Sequence, residues 1–394
     1  MKKRILSLAL ALCLVICAVV PSLAAEPDGV LRFDENGEFK ILHLSDCQDG
    51  YPARWEMFTY FNYMIDEYDP DLVVFGGDNC VCEGEHKQAA IAELVKPFVD
   101  KGVYFTLVFG NHDHQQGVDN DTQLKYYQEA GGKYCLAYDA DPNLSGTATH
   151  NLPVYGQDGK LKFNVWLFDS GNYVKDENGK DTSDYSCVQP DQIEWYKETY
   201  KELEKEAGGT VYSVAFQHIP VLESFDALFA TVPFDLPPLT ETYSDGNHYA
   251  AFFPKTNAFK GHLMEPTSPG YHNYGQLQAM KDTGDVLAIL WGHDHINSYE
   301  AEYNGIDLIN TPTCSFESYG NDIIRGGRLI TIYEDDPVNY DNEVITVNEL
   351  ALQNSDFAKE LGISPVTAIF WIIIDALLLF LKNVSALVAC AMLL

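Results

Sequence analysis

The sequence predicts a layered α/β domain followed by an apolar C-terminal helix. From about residue 39 to residue 335, short apolar runs alternate with longer amphipathic ones, as strands and helices do when taken in turn. Five polar blocks rich in Asp, Asn and His follow directly on apolar runs. Beyond residue 365 the chain is almost wholly apolar.

A strand is predicted over 39–45, a helix over 54–68, a strand over 72–75 and a helix over 87–99. A strand over 103–109 and a helix over 121–130 come next, then a strand over 163–168 and a helix over 191–206. Strands over 211–216 and 286–291 flank a short helix at 277–281. The runs at 306–309 and 328–333 have no helix between them, which predicts a second, more antiparallel sheet.

The chain of 394 residues with 46% hydrophobic content is long enough for one large domain, expected over 26–350. Lys2, Lys3 and Arg4, the apolar run 5–20 and Ser22-Leu23-Ala24 read as a secretory signal over 1–25. An exported protein is therefore expected. Losing those three basic residues takes the formal charge from −33 to −36. Such a body repels DNA and RNA, which are bound mainly through Lys and Arg, so no nucleic-acid polymer is an expected partner.

Six cysteines lie outside the signal and the tail: Cys47, Cys80, Cys82, Cys135, Cys187 and Cys314. No spacing suggests a zinc finger. An exported chain could pair some of these cysteines; Cys47 and Cys80 flank candidate site residues and could be packing residues or a bridge near the site, with packing the favoured reading. The tail, 364–394, has Thr367, Asp375, Lys382, Asn383 and Ser385 as its polar interruptions, with Pro365 as a helix start. As one helix it could cross ~30 Å of hydrocarbon. Asp375 would cost about 2.5–3.5 kcal/mol at the centre of such a helix, which the Leu, Ile and Phe residues offset. A membrane anchor is the expectation.

The five blocks are Ser45-Asp46-Cys47-Gln48, Gly76-Gly77-Asp78-Asn79, Gly110-Asn111-His112-Asp113, Gln217-His218-Ile219-Pro220 and Gly292-His293-Asp294-His295. In open α/β sheets ligands collect outside the carboxyl ends of strands, so Asp46, Asp78, Asn111, His218 and His293 should converge on one rim. Mixed Asp, Asn and His donors suit Fe, Mn or Zn better than Ca. His43, His86, His150 and His248 are read as ordinary core or surface residues; His114, His262 and His272 could line the site.

In chain order these blocks resemble the signature of the calcineurin-like metallophosphoesterases, D-x-H, G-D, G-N-H-[DE], H and G-H-x-H. The segments Leu167-Phe168-Asp169-Ser170-Gly171-Asn172-Tyr173, Gln192-Ile193-Glu194-Trp195, His218-Ile219-Pro220 and Gly284-Asp285-Val286 further resemble the purple-acid-phosphatase-like branch. The resemblance covers roughly 39–335. It implies a four-layer α/β/β/α sandwich and two metal ions. One ion would take Asp46, Asp78 and His295, with Gln48 where the pattern has histidine. The other would take Asp78, Asn111, His218 and His293, with Asp78 bridging. His112 would contact the phosphoryl group or protonate the leaving group, oriented by Asp113. Val81 stands where purple enzymes have tyrosine, so no purple colour is implied. The implied reaction is hydrolysis of a phosphate mono- or diester by direct attack of metal-bound hydroxide. The segment 219–273, weakly periodic and rich in proline and aromatics, is expected to be a lid over the metals.

Overall fold

A computed structural model describes residues 29–236, 240–242, 246–255 and 257–392. The expected signal, 1–25, lies outside the described residues. The strands are β1 Leu31–Arg32, β2 Glu38–Leu44, β3 Leu72–Gly76, β4 Tyr104–Val108, β5 His150–Tyr155, β6 Leu161–Leu167, β7 Tyr173–Lys175, β8 Asp181–Tyr185 and β9 Tyr212–Phe216. They continue with β10 Phe229–Val232, β11 Glu241–Thr242, β12 His248–Pro254, β13 Val286–Trp291, β14 Glu300–Tyr303, β15 Ile306–Asn310, β16 Gly326–Tyr333 and β17 Asp341–Thr346.

Two mixed sheets form the centre. One has the order β17-β16-β2-β3-β4, the other β1-β5-β6-β9-β13-β15-β14. The two late runs therefore do not form a separate sheet, as had been expected. Strand β16 pairs antiparallel with β2 in the first sheet, and β15 pairs parallel with β13 in the second.

Alternation along each strand explains the layering. In β3, Leu72 and Val74 join an apolar cluster shared with Phe163, Val165, Val214, Ala288 and Leu290 of the other sheet. Val73 and Phe75 point the other way, into a cluster with Phe61, Leu94 and Phe98. Those three belong to the helices Trp55–Tyr68 and Lys87–Lys101. In β13, Ile289 and Trp291 turn outward to Tyr196 of the helix Pro190–Ala207 and Met280 of the helix Gln276–Thr283. Helices thus cover the outer face of each sheet, and the four-layer α/β/β/α expectation holds. Buried on both faces, the central strands read as continuous apolar runs.

The helices follow their sequence pattern. Trp55–Tyr68 buries Met57, Tyr60, Phe61, Met64 and Ile65, the stripe of a 3.6-residue period. Two further helices, Val347–Gln353 and Ser355–Glu360, place Leu350, Phe357 and Ala358 in the same core. The same core thus includes Phe357 and Ala358, past residue 350. The first of these helices starts on a capping box, Thr346 with Glu349.

The C-terminal helix is Pro365–Met392. Its stretch Pro365–Lys382 has a mean hydropathy of 2.0 over 18 residues, long and apolar enough to cross a membrane by length and composition. One face lies on the domain. Ala368 is buried, Asp375 Oδ1 sits 2.6 Å from His262 Nε2, and Lys382 Nζ donates to Phe259 O at 2.9 Å and Gly261 O at 3.1 Å. The opposite face exposes Val366, Ile369, Phe370, Ile373, Leu377 and Phe380.

Asp71, just ahead of β3, gives a prediction about pH. Its Oδ2 accepts the Lys40 N–H at 2.8 Å, and burial pushes its carboxyl up to about 6 from an ordinary 3.8. A folded-state pKa raised in this way adds stability below the unfolded value, which is lost as pH rises through the folded one. Asp71→Asn keeps an acceptor for Lys40 and carries no charge. It should raise stability by about 1–2 kcal/mol at pH 7, with the gain vanishing by pH about 4. Urea unfolding at both pH values checks this; an equal gain at both would refute it.

Candidate metal centre

The carboxyl ends of β2, β3 and β4 face those of β9 and β13 at the same rim. Asp46, Asp78 and Asn111 come from the first sheet; His218, His293 and His295 come from the second. All six are buried. Three of them leave their strands in the left-handed region, with φ of 51° at Asp46, 50° at Asp78 and 67° at His293. Non-glycine residues uncommonly adopt it, Asp and His among the more tolerant, and three together at strand ends mark a constrained site.

One nitrogen each of His218 and His293 and an oxygen of Asp78 all lie within 4.8 Å of one another. His218 Nδ1 donates to Gly76 O at 2.9 Å, which leaves Nε2 facing Asp78 Oδ2 and Asn111 Oδ1, each at 3.2 Å. His295 is held the same way. Its Nδ1 donates to Tyr319 O at 2.8 Å, and its Nε2 lies 3.3 Å from Asp46 Oδ1. A backbone carbonyl that fixes one ring nitrogen and frees the other is the usual support of a metal-ligating histidine. Asp46 Oδ1 and His293 Nε2 are buried without a hydrogen-bond partner. Orphaned acceptors of this kind, in a set of carboxylates, an amide oxygen and imidazoles, fit a transition-metal cation.

Electrostatics follow from the same contacts. Burial works against charge on Asp46 and Asp78. The imidazoles of His295 and His218 outweigh it at Asp46, as His218 does at Asp78, and both carboxyls stay below the ordinary value. Burial lowers His218, yet Asp78 and Asp46 lift it to about 10. Burial, with His218 alongside, pushes His293 down to about 3, leaving a neutral donor.

Glycines in the blocks have a steric reason. A Cβ on Gly110 would collide with the backbone N and carboxylate of Asp78, and one on Gly292 with Ser45 and Asp46. Gly77, at φ 91°, lies against the His218 ring. Gly110→Ala is therefore expected to displace Asp78 and lower bound metal at least ~10-fold, an equivalent of about 1.4 kcal/mol. Metal analysis of the folded variant checks this, and wild-type metal content would refute it.

His112 is half-buried beside the cluster, and its N–H donates to Asp78 Oδ1 at 2.7 Å. Asp113 does not orient it. The Asp113 carboxylate accepts the N–H groups of Gly110 at 2.8 Å, Asn79 at 2.8 Å and Cys80 at 3.3 Å. Its two oxygens are committed to the β3 and β4 loops, so it braces the backbone that carries Asp78 and Asn111. Gln48 reaches the cluster with its amide nitrogen, 3.2 Å from Asp78 Oδ2 and 3.3 Å from His295 Nε2. Its Oε1 accepts from Ser318 Oγ at 3.0 Å. Its ligating oxygen is thus turned away from the ligands in this rotamer.

Three tyrosines border the site, of which only Tyr173 falls in a segment that carries the family resemblance. Asn111 Nδ2 donates to the Tyr173 hydroxyl at 2.9 Å, Tyr185 meets His293 edge-on at 4.3 Å, and Tyr319 stacks on His295 at 4.0 Å. Tyr173 and Tyr185 lie on the β7–β8 hairpin, which carries no periodic signal. The segment 219–273 divides. Its small sheet, β10-β12-β11, packs through Phe229 and Tyr249 on the outer core of the second sheet. Its later part borders the site, where Thr267 Oγ1 donates to Asp294 Oδ2 at 3.0 Å. Among the other histidines, His43 and His150 are core residues bonded to Thr311 and Thr106, and His262 pairs with the C-terminal helix.

Strand-end carboxylates and imidazoles meeting across two stacked sheets define a metallophosphoesterase-type centre. The family model for calcineurin-like phosphoesterases matches residues 39–297, well over half of the chain. The chain belongs to that family. It is 27% identical over 324 residues to an Arabidopsis thaliana protein named "Probable inactive purple acid phosphatase 14", covering 74% of each chain. It is 25% identical to "Probable inactive purple acid phosphatase 29" of the same plant, covering 74% of this chain and 75% of that one. A solved dimetal phosphatase from Danio rerio aligns with 78% of this chain and 98% of its own, at 11% identity and a TM-score of 0.46.

Proposed function

We propose that this protein is an exported metal-dependent phosphoesterase that hydrolyses phosphate mono- or diesters. The observation that carries it is the meeting of Asp78, His218 and His293 within 4.8 Å, with Asp46 and His295 adjoining them. Asp78, Asn111, His218 and His293 would hold one ion; Asp46, Asp78 and His295 would hold a second, looser one of Fe, Mn or Zn. When bound, such ions lower the pKa of water and neutralise phosphoryl charge. The chain's own groups do the rest. His112 stands at the rim to meet a phosphoryl oxygen or give a proton to the leaving group. Asp113 fixes the turn beneath it. Tyr173 and Tyr185 shape the entrance on the His293 side.

Purified protein with added Mn, Fe or Zn should turn over p-nitrophenyl phosphate or bis-p-nitrophenyl phosphate. No turnover of either ester above an Asp78→Asn background would overturn the reading, and at most one bound ion at saturation would overturn its two-metal form. A second reading is a weak or inactive phosphoesterase-fold binding protein at the cell surface. The names of the two plant relatives and Gln48 favour it. Gln48→His separates the two: an imidazole there should tighten the Asp46 and His295 ion about 10-fold or more. Turnover that rises with occupancy supports the enzyme. Full occupancy without turnover supports the binding protein.

The remaining expectations stay with this proposal. The acidic surface argues against nucleic-acid polymers as substrates. The exposed apolar face of the stretch Pro365–Lys382 supports anchoring of the exported domain at a membrane, and detergent-independent solubility of the full chain would count against it.

A further inference from the structure

Cys47 and Cys314 are separated by most of the domain in sequence, yet their sulfurs lie 3.3 Å apart and both residues are fully buried. Among the described residues no other two cysteine sulfurs are in hydrogen-bond contact. Cys47 follows the candidate ligand Asp46; Cys314 lies between β15 and β16. The backbones around them are already in register. Ser45 and Thr313 form a parallel bridge, Cys314 N donates to Ser45 O at 3.2 Å, and Thr313 Oγ1 donates to Asp46 O at 2.8 Å. Asp49, two residues on, accepts the N–H groups of Phe316 and Glu317, each at 3.1 Å.

We propose that Cys47 and Cys314 form a disulfide, a covalent clasp beneath the Asp46 side of the metal centre. A disulfide needs its sulfurs about 2.05 Å apart, so from 3.3 Å the pair closes by about 1.3 Å through rotation of the two side chains, on loop segments joined by the Ser45–Thr313 bridge. The oxidant is a small disulfide of the glutathione class. One protein thiolate attacks a donor sulfur, giving a mixed disulfide and one donor thiol. The second protein thiolate then attacks the protein sulfur of that mixed disulfide, and the second donor thiol leaves. Two electrons pass from the protein pair to the donor, and the two protons end on the donor thiols. Because both sulfurs are sealed from solvent, exchange takes place while the chain folds or while the 311–316 loop is open. Once formed, the bond is shielded by the packing that surrounds it.

The test is disulfide mapping of the full chain, folded in oxidised and reduced glutathione, alkylated and digested without reduction. The expected result is a linked 47–314 peptide as the dominant cross-link, absent from Cys47→Ser and from Cys314→Ser. The oxidised protein should also unfold at a higher denaturant concentration than the reduced one. Alkylation of both cysteines in the folded oxidised sample would overturn the proposal, as would links from either one to Cys80, Cys82, Cys135 or Cys187 formed equally often. Mapping on the wild type decides the matter even where a serine variant fails to fold. Neither readout depends on ester hydrolysis, so failure here leaves the proposed function standing.

Discussion

Asp78→Asn is expected to abolish metal binding at both positions and to lower phosphoester turnover by roughly 10³-fold or more, about 4 kcal/mol of barrier. The side chain is buried at the centre of the cluster. One oxygen faces His218 Nε2 at 3.2 Å and the other accepts the His112 N–H at 2.7 Å. Asparagine keeps the shape and one acceptor, but it removes the charge that would neutralise two cations. The fold should persist, since the apolar clusters on either side of β3 are untouched. Metal content, far-UV circular dichroism and turnover on one preparation check this. A folded variant with wild-type metal content would refute the bridging role of Asp78.

Arg328→Met is expected to cost about 3–5 kcal/mol of stability. Arg328 lies on β16 and is fully buried. Its guanidinium crosses to the other sheet, where it donates to Glu300 Oε1 at 2.9 Å, Ser298 O at 3.1 Å and Asn310 O at 2.8 Å. It also donates to Asn342 Oδ1 at 2.7 Å. Methionine fills the space but takes the guanidinium donors from the Ser298 and Asn310 carbonyls and from Asn342 Oδ1, and a buried acceptor that loses its donor carries a desolvation penalty. Glu300 is partly exposed, at 27% of its side chain, so Glu300→Gln should cost under about 1 kcal/mol. Urea unfolding of both variants checks the contrast. A change below about 1 kcal/mol for Arg328→Met would show that the apolar seam alone holds the sheets.

The sequence carried the central strands well, because a strand buried on both faces has no choice but to be apolar. The convergence on one rim was legible too, because Asp46, Asp78, Asn111, His218 and His293 sit just past the ends of those runs. What it did not carry depends on partners distant in the chain. β17 is a half-exposed strand whose polar positions blur the pattern, β5 is largely buried but interrupts its apolar residues with His150, Asn151 and Pro153, and the β7–β8 hairpin is too polar to register. The runs at 306–309 and 328–333 look alike in sequence but enter different sheets, since pairing is decided by β13 and β2. The role of Asp113 was misread for the same reason. Its neighbour in sequence is His112, while its hydrogen bonds go to the loop after β3. Nothing in the local sequence of Cys47 points to Cys314.

The candidate ligands are divided between the two sheets, and this makes metal loading and folding linked equilibria. Asp46, Asp78 and Asn111 are fixed to one half of the sandwich, and His218, His293 and His295 to the other. An ion that binds all of them would tie together two halves that otherwise meet through side-chain packing, the Arg328 crossing and a few hydrogen bonds such as His218 Nδ1 to Gly76 O and Cys314 N to Ser45 O. At a free concentration 100-fold above its dissociation constant, one such ion adds about 2.7 kcal/mol to the native state. The melting temperature of this protein would then report the metal supply of its surroundings, and a compartment poor in the right ion would hold a softer version of the same fold.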